Sequence, residues 1–168
     1  LSLAESSMVG GIDISGEVLR DTAKSIHYIQ DIEKLLKEAL EGNKTHKISR
    51  LLEIILAGAI SIKASDIHIE HTGQKVKVRY RVDGALHTSI MLPVNVHSGV
   101  VARIKILSKL HLYEKRKPQD GSFSANIDRR KVDFRVSTMP AYYGEKVVMR
   151  ILDAEKGVKP LDQLGLSE

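Results

Sequence analysis

The sequence has no cysteine and no tryptophan, and it has only two phenylalanines among 168 residues. The lack of cysteine excludes disulfide bonds and thiolate metal sites, and it fits a reducing compartment. No apolar run approaches the roughly 20 residues that a membrane-spanning helix needs. The opening stretch, LSLAESSMVGG, lacks the basic start and apolar run of a secretory signal. Because the sequence begins on Leu1, we expect it to be part of a longer protein.

The phosphate-binding loop of nucleotide-hydrolysing proteins is also missing from this sequence. That loop reads G-x-x-x-x-G-K-[ST], and its backbone amides surround the phosphates. The stretches VGGIDISGEV and EGNKTHK contain no Gly-Lys-Ser or Gly-Lys-Thr, and no G-x-S-x-G nucleophile elbow occurs. We therefore expect no catalytic residues in this chain and no enzyme activity from it alone.

A metal site is not predicted either. His68, Glu70 and His71 are close in sequence, but strand alternation places His68 and His71 on opposite sides. Ordinary surface histidines explain this spacing better than a set of metal ligands.

The composition indicates one main domain with flanking pieces. A chain of this length with 42% hydrophobic residues can bury a substantial core. The formal net charge is +5, with a pI near 9.4. This excess favours an anionic partner, which could be phosphate, nucleic acid, an acidic lipid surface or an acidic protein face.

The first part of the chain is predicted to be helical. Residues 1–16 are rich in Ser and Gly and are predicted as a linker or disordered arm. Apolar residues then recur at helical spacing over 17–40, which predicts one N-terminal helix in the segment 17–45. A second helix with a wide apolar stripe is predicted at 46–64 and should pack against a sheet.

From residue 65 the apolar period changes to two, which is typical of half-exposed strands. Strands are predicted at 65–70, 75–82, 85–92, 122–127, 131–139 and 145–152, with a helix at 95–111 between the third and the fourth. On that helix Arg103, Lys105 and Lys109 are assigned to the polar side. Since hairpin connections dominate, the pattern predicts an α+β domain over 46–152, with helices on one face of an antiparallel sheet, and a linker at 153–168.

The predicted strand KVKVRYRV places cations on its whole outward side. Lys77, Arg79 and Arg81 alternate with Val76, Val78, Tyr80 and Val82, so that they face away from the core. The Cα atoms of Arg79 and Arg81 should lie roughly 6.5 to 7 Å apart, so two guanidinium groups could bind one polyphosphate.

From the pattern alone, an ordinary solvated strand face is the favoured interpretation. Asp133, Asp66 and Glu70 could pair with these arginines for little net free energy. Arg135 is also outward by parity, but neighbouring Asp133 offers it a simple ion pair. We assign structural roles to Arg135 and to Arg150.

Four stretches resemble one family of proteins. They are ASDIHIE (64–70), VRYRVDG (78–84), RIKILSKLHLYEKRKPQDG (103–121) and VDFRVSTMPAYYGEKVVMRIL (132–152). In order and spacing they resemble the domain that precedes the motor domain in secretion ATPases of type II secretion and type IV pilus assembly systems. The resemblance covers about three quarters of the chain, over 46–168.

The resemblance implies a PAS-like fold that is joined by the C-terminal linker to a RecA-like ATPase domain. It also implies that ATP with Mg²⁺ is bound in the full-length protein, and that six copies form a cytoplasmic ring at the bacterial inner membrane. Platform proteins of the secretion or pilus system would be its partners, and ATP-driven domain motion would power assembly. In this family the R-x-R strand faces the nucleotide, which makes Arg79 and Arg81 the candidate phosphate-binding residues.

The sequence departs from the family pattern at two positions. Ser122 follows PQDG where many members have Arg, and no Arg occurs between the third strand and Arg103. The KPQDG stretch itself is predicted as a turn. Gln119 and Asp120 are possible interdomain contacts, and a purely structural role is equally compatible with the sequence.

Two other function classes remain open at this point. A basic sheet could bind nucleic acid, although the chain has few aromatic residues for base stacking and Tyr80 is predicted to face inward. A PAS-like sensor of a small molecule would instead need a closed apolar cavity.

Overall fold

The computed structural model describes residues 14–42 and 46–153, with the backbone alone at 88–90. The predicted linkers at 1–16 and 153–168 lie mostly outside the described residues. The helices are α1 (Gly16–Lys24), α2 (Ile29–Glu41), α3 (Lys47–Ser61) and α4 (His97–Leu107), and a short 3-10 turn at Val94–Val96 precedes α4. The strands are β1 (Asp66–His71), β2 (Lys75–Val82), β3 (Ala85–Pro93), β4 (Gln119–Ile127), β5 (Arg130–Met139) and β6 (Lys146–Asp153).

The six strands form one sheet in the order β3-β2-β1-β6-β5-β4, and every neighbouring pair is antiparallel. The first three strands make one meander and the last three make another, and the two meanders meet where β1 pairs with β6. The segment containing α4 connects the two edge strands β3 and β4. This arrangement confirms the prediction of an α+β fold with an antiparallel sheet and an N-terminal helical region.

The alternating strands pack their apolar side against the helices. In β2, Val76, Val78 and Tyr80 are at most 1% exposed, and the Tyr80 hydroxyl donates a hydrogen bond to the Ile55 carbonyl of α3 at 2.8 Å. Helix α3 is buried along most of its length because α1 and α2 cover its other side. Leu19 of α1, with Ile32 and Leu36 of α2, completes the same core. The N-terminal helices therefore pack on the domain itself.

The single helix predicted at 17–40 is wrong, because α1 and α2 are separate helices. Helix α1 ends at Lys24, and both the backbone N–H and the hydroxyl of Ser25 donate to the Thr22 carbonyl. The Asp31 carboxylate then accepts the backbone N–H groups of His27 at 2.8 Å and Tyr28 at 3.0 Å, which starts α2. These two hydrogen bonds lower the pKa of Asp31. The break lets buried Ile26 turn into the core.

Lys105 was assigned to the polar side of its helix, and this assignment is also wrong. Its side chain is 1% exposed, and its ammonium group bonds to Glu145 Oε1 at 2.7 Å, Glu114 O at 2.8 Å and Leu112 O at 3.4 Å. The segment after α4 and the loop between β5 and β6 cover this side of the helix. Helical periodicity cannot reveal such covering, because it comes from segments distant in sequence.

Candidate anion-binding face of the sheet

The predicted cationic strand lies on the side of the sheet opposite the helices. The side chains of Arg79 and Arg81 are 25% and 37% exposed, whereas Val78 and Tyr80, which alternate with them, are fully buried. The strand alternation predicted from the sequence is therefore confirmed. We call this outward side of strands β2, β1, β6 and β5 the arginine face, defined by Arg79, Arg81, Arg150 and Arg135.

Arg79 has a carboxylate partner on the neighbouring strand. Its Nη2 donates to Glu70 Oε1 at 3.3 Å, while its Nε is buried and has no hydrogen-bond partner among the described residues. His68 lies directly opposite Arg79 in the register of β1 with β2, and its Nδ1 is also buried and unpartnered. Burial lowers the pKa of His68, and the positive charges of Lys146 and Arg79 lower it further. The neutral form of His68 is therefore favoured, so that His68 adds no further positive charge beside Arg79.

Arg81 shares one carboxylate with an arginine from a third strand. Arg81 Nε lies 3.8 Å from Asp66 Oδ2, and Arg150 Nε lies 3.2 Å from Asp66 Oδ1. The Asp66 side chain is only 8% exposed and also accepts the Ser65 hydroxyl at 2.9 Å. Arg81 Nη1 in addition donates to the Gly84 carbonyl at 3.0 Å. The expected pairing of Asp66 and Glu70 with the arginines of β2 is thus confirmed.

The strand register places these residues in one row across the sheet. Arg81 is opposite Asp66, Asp66 is opposite Arg150, and Arg150 is opposite Arg135. Among the described residues, no ion pair of Arg135 with Asp133 is found, and Asp133 instead lies 3.9 Å from Lys131 Nζ. Arginines that face each other directly on neighbouring strands destabilise a sheet unless an anion compensates them. The row is therefore a strongly positive part of the arginine face.

Gln119 and Asp120 lie at the start of β4, so the predicted KPQDG turn is wrong at these two positions. The Gln119 amide accepts from the His111 N–H at 2.8 Å and donates to the His111 carbonyl at 3.0 Å. Asp120 accepts the Ser137 hydroxyl at 2.7 Å on the outward side of the sheet. A Cβ on Gly121 would come within 2.7 Å of the Ser108 carbonyl oxygen, so close packing explains this glycine. Interdomain contacts of Gln119 and Asp120 stay a prediction.

Neither a metal centre nor a membrane span is found in the part of the chain that the structure describes. Over residues 14–42 and 46–153, no group of three or more His, Cys, Asp or Glu side chains is arranged to hold a metal ion. Within the same ranges, no helix is both long and apolar enough to cross a bilayer.

The described strands also bear on the alternative functions. Strands β1, β2, β5 and β6 turn no phenylalanine or tyrosine toward the arginine face, because Tyr80 and Phe134 are both fully buried. The stacking platform of a nucleic-acid-binding sheet is therefore missing there.

A concavity of about 660 Å³ lies elsewhere, beside the buried ion pair of Lys105 and Glu145, and its wall includes Tyr113, which is 89% exposed. This concavity is open to solvent, so it does not match the closed apolar cavity expected of a sensor.

Comparison with known proteins identifies the family. Residues 41–168, which include every residue of the arginine face, match the family described as "Type II/IV secretion system protein". The chain belongs to this family. The resemblance seen in the sequence is thereby confirmed.

Curated relatives of this type II/IV secretion system protein include both pilus and secretion proteins. The chain is 46% identical over 129 residues to the type IV pilus assembly ATPase TfpB of Acinetobacter baylyi, covering 76% of this chain and 22% of that protein. It is 42% identical over 138 residues to the type II secretion system protein E of Xanthomonas campestris pv. campestris, covering 82% and 24%. It is 38% identical over 153 residues to the type II secretion system protein E of Pectobacterium carotovorum subsp. carotovorum, covering 90% and 31%. The chain thus spans less than a third of the length of these relatives.

The sequence did not reveal the link between Arg81 and Arg150 in this family member. The structure places Arg150 on the outward side, because its neighbour Met149 is fully buried, whereas apolar residues on both faces of this strand left its direction open in the sequence. The adjacency of β1 and β6, which brings Arg150 to Asp66, depends on a pairing between residues 84 positions apart. No local pattern encodes a pairing of that range.

Proposed function

We propose that this chain is the nucleotide-adjoining region of an ATPase subunit of a type II secretion or type IV pilus assembly system. In this proposal Arg79 and Arg81 contact the phosphates of ATP held by a motor domain outside this chain. The observation that carries the proposal is the pair of guanidinium groups on the helix-free face of the sheet, each held by a carboxylate of β1. Membership of the family and the word ATPase in a relative's name support it.

The energetics favour exchange of these carboxylates for phosphate. Glu70 is 38% exposed, and an exposed ion pair like that of Arg79 with Glu70 contributes only about 0.2–1 kcal/mol. A hydrogen bond to a charged group contributes about 1.5–3 kcal/mol, and Arg binds phosphate oxygens bidentately. An arriving triphosphate can therefore replace Glu70 on Arg79 at little cost. Asp66, which is nearly buried, would keep its contact with Arg81 and orient it.

The donors on this face fit phosphate oxygens, and as cations they do not fit a magnesium ion. We therefore expect ATP with Mg²⁺ to be held mainly by the motor domain, where Mg²⁺ neutralises phosphate charge. Arg79 and Arg81 would approach the phosphates when the two domains close. Such closure follows nucleotide state only if the nucleotide binds the closed form more tightly than the open form.

The wider assembly follows from the same proposal. Six copies would form a ring on the cytoplasmic side of the bacterial inner membrane, and the ring would contact platform proteins of the secretion or pilus system. The chain itself would transmit ATP-driven motion for protein secretion or pilus assembly. It would not hydrolyse ATP alone, because the sequence lacks a phosphate-binding loop.

The test is ATP turnover by the full-length protein with Arg79→Ala, Arg81→Ala or both substitutions. The loss of one charge-assisted phosphate contact of about 1.5–3 kcal/mol should lower kcat/KM roughly ten- to a hundred-fold. Lys131→Ala is the matched control, since it removes one exposed positive charge from β5 on the same face. Turnover and ATP affinity equal to the control in the double variant would refute the proposed role.

A further inference from the structure

We infer that Arg150 is a third phosphate-binding arginine, and that Asp66 is a positioning residue that directs Arg81 and Arg150 toward one polyphosphate. This inference rests on the proposed function and extends it to a residue for which the sequence analysis predicted a structural role. Arg81 and Arg150 both contact the carboxylate of Asp66.

The mode of contact leaves the strongest phosphate-binding atoms of Arg150 available. Asp66 is contacted by the Nε atoms of both Arg81 and Arg150. Among the described residues, the hydrogen bond of Arg150 runs through Nε, no hydrogen bond of its terminal nitrogens is found, and the Arg150 side chain is 69% exposed. A guanidinium that is fixed through Nε presents its terminal N–H groups as a fork, which is the geometry that binds phosphate bidentately.

Asp66 is held rigidly enough to act as this anchor. The Ser65 N–H donates to the Arg81 carbonyl at 2.8 Å, and the Ile151 N–H donates to the Ser65 carbonyl at 3.0 Å. These bonds clamp the start of β1 between β2 and β6, next to both arginines. The side chain of Asp66 is 8% exposed, so little freedom remains to it. The two guanidinium groups are therefore brought to one place from strands on either side of β1.

The charge of the row calls for an anion. Arg81, Arg150 and Arg135 stand with the single carboxylate of Asp66, which leaves two uncompensated positive charges among these four aligned residues. Arg135 lies directly opposite Arg150, and among the described residues its side chain has no ion-pair partner. A bound anion would remove the repulsion between them.

A polyphosphate fits this arrangement better than a carboxylate of a partner protein. The Cα atoms of Arg81 and Arg150 are separated by two strand spacings, roughly 9.6 Å, while Arg79 stands two residues along β2 from Arg81. Three guanidinium groups on such a triangle need an anion with several charged oxygens in a chain. A single carboxylate is too short to reach the terminal N–H groups of all three arginines at this spacing.

The experiment measures binding of MgATP and of inorganic triphosphate to the full-length protein carrying Arg150→Gln, Arg150→Lys or Asp66→Asn. We expect Arg150→Gln to weaken both ligands about tenfold, which corresponds to the loss of one charge-assisted contact. The lysine variant, which keeps the charge without the fork, should recover part of the affinity. Asp66→Asn should weaken both ligands and flatten the salt dependence of binding, since the two arginines lose their common orientation.

Controls separate this inference from a structural role and from failure of the proposed function. Lys131→Gln is the matched control, because Lys131 is an exposed cation of β5 on the same face but lies outside the row of Asp66, and it should change affinity less. The thermal midpoint of Arg150→Gln should stay within a few degrees of the parent protein, because Arg150 is 69% exposed and the nearly buried Asp66 keeps Arg81 as a partner. If Arg150→Gln binds both ligands normally while Arg79→Ala and Arg81→Ala do not, the inference fails and the proposed function stands. If all three variants bind normally, both fail. A loss of subunit association with normal triphosphate binding would assign Arg150 to an acidic protein surface and would likewise overturn the inference.

Discussion

Replacing Lys105 by methionine should destabilise the fold by about 3–5 kcal/mol, the usual cost of removing one partner from a buried ion pair. Methionine keeps most of the side-chain volume, so that the loss reports charge and hydrogen bonding rather than a cavity. Lys105 and Glu145 are 1% and 7% exposed and lie 2.7 Å apart. Because both side chains are buried, water and salt do not screen their attraction as they screen that of surface pairs.

The magnitude follows from what the substitution leaves behind. Glu145 Oε2 already lacks a hydrogen-bond partner in the described structure, so removal of Lys105 leaves the whole carboxylate buried and unpaired. The Leu112 carbonyl loses its bond to the ammonium group as well, while the Glu114 carbonyl keeps the bond from the Gln119 amide at 3.2 Å. Each unsatisfied buried group costs about 1–3 kcal/mol, and more when it is charged.

Urea unfolding followed by circular dichroism, with linear extrapolation, measures the change. Lys37→Met is the matched control, because Lys37 pairs with Glu33 at 3.7 Å while 65% exposed, and its loss should cost less than about 1 kcal/mol. The double substitution of Lys105→Met with Glu145→Leu should recover most of the loss, because apolar residues can replace a buried pair without penalty. If Lys105→Met costs no more than the control, the reasoning on this buried pair is wrong.

Two further predictions concern pH and the N-terminal helix. Burial lowers the pKa of His97, so the unfolded chain binds the proton more tightly than the folded protein does. The free energy of unfolding should therefore be highest above the ordinary histidine pKa of about 6.5 and should fall as the pH decreases below it. In urea unfolding, the free energy of unfolding of His97→Asn should fall less between about pH 7 and pH 5 than that of the parent protein, and part of the fall that remains is due to His68. An equal fall in the two proteins would contradict this prediction. A Cβ on Gly16 would overlap the Asn126 carbonyl oxygen, so Gly16→Ala should displace α1 and increase hydrogen exchange there. Gly42→Ala, where a Cβ meets nothing nearer than 3.6 Å, should leave exchange unchanged, and equal exchange in both variants would refute the packing argument.

Local patterns predicted the strands well because each strand is bounded by its own turn. Strand β2 was predicted at 75–82 and occupies Lys75–Val82, since alternation sets its faces and Asp83-Gly84 closes its hairpin. The break between α1 and α2 was missed because the apolar spacing continues through it. The structure marks the new helix start by Asp31 at the third helical position, whose carboxylate accepts the backbone N–H groups of His27 and Tyr28.

The candidate site was predicted in part for the same physical reason. Parity along one strand is enough to place Arg79 and Arg81 outward, and the neighbouring β1 supplies Glu70 and Asp66 through a hairpin of short range. The contribution of Arg150 depends on the pairing of β1 with β6, which closes a long loop and leaves no mark in either local sequence. The burial of Lys105 was hidden in the same way, since segments beyond its own helix cover it.

The central claim is that Arg79 and Arg81 reach the phosphates of a nucleotide bound outside this chain. A structure of the full-length protein with a non-hydrolysable ATP analogue and Mg²⁺ tests it most directly. The account predicts that in at least one subunit a guanidinium of this pair lies within hydrogen-bond distance, about 2.7–3.2 Å, of a phosphate oxygen. Phosphates distant from both arginines in every subunit and every nucleotide state would contradict it.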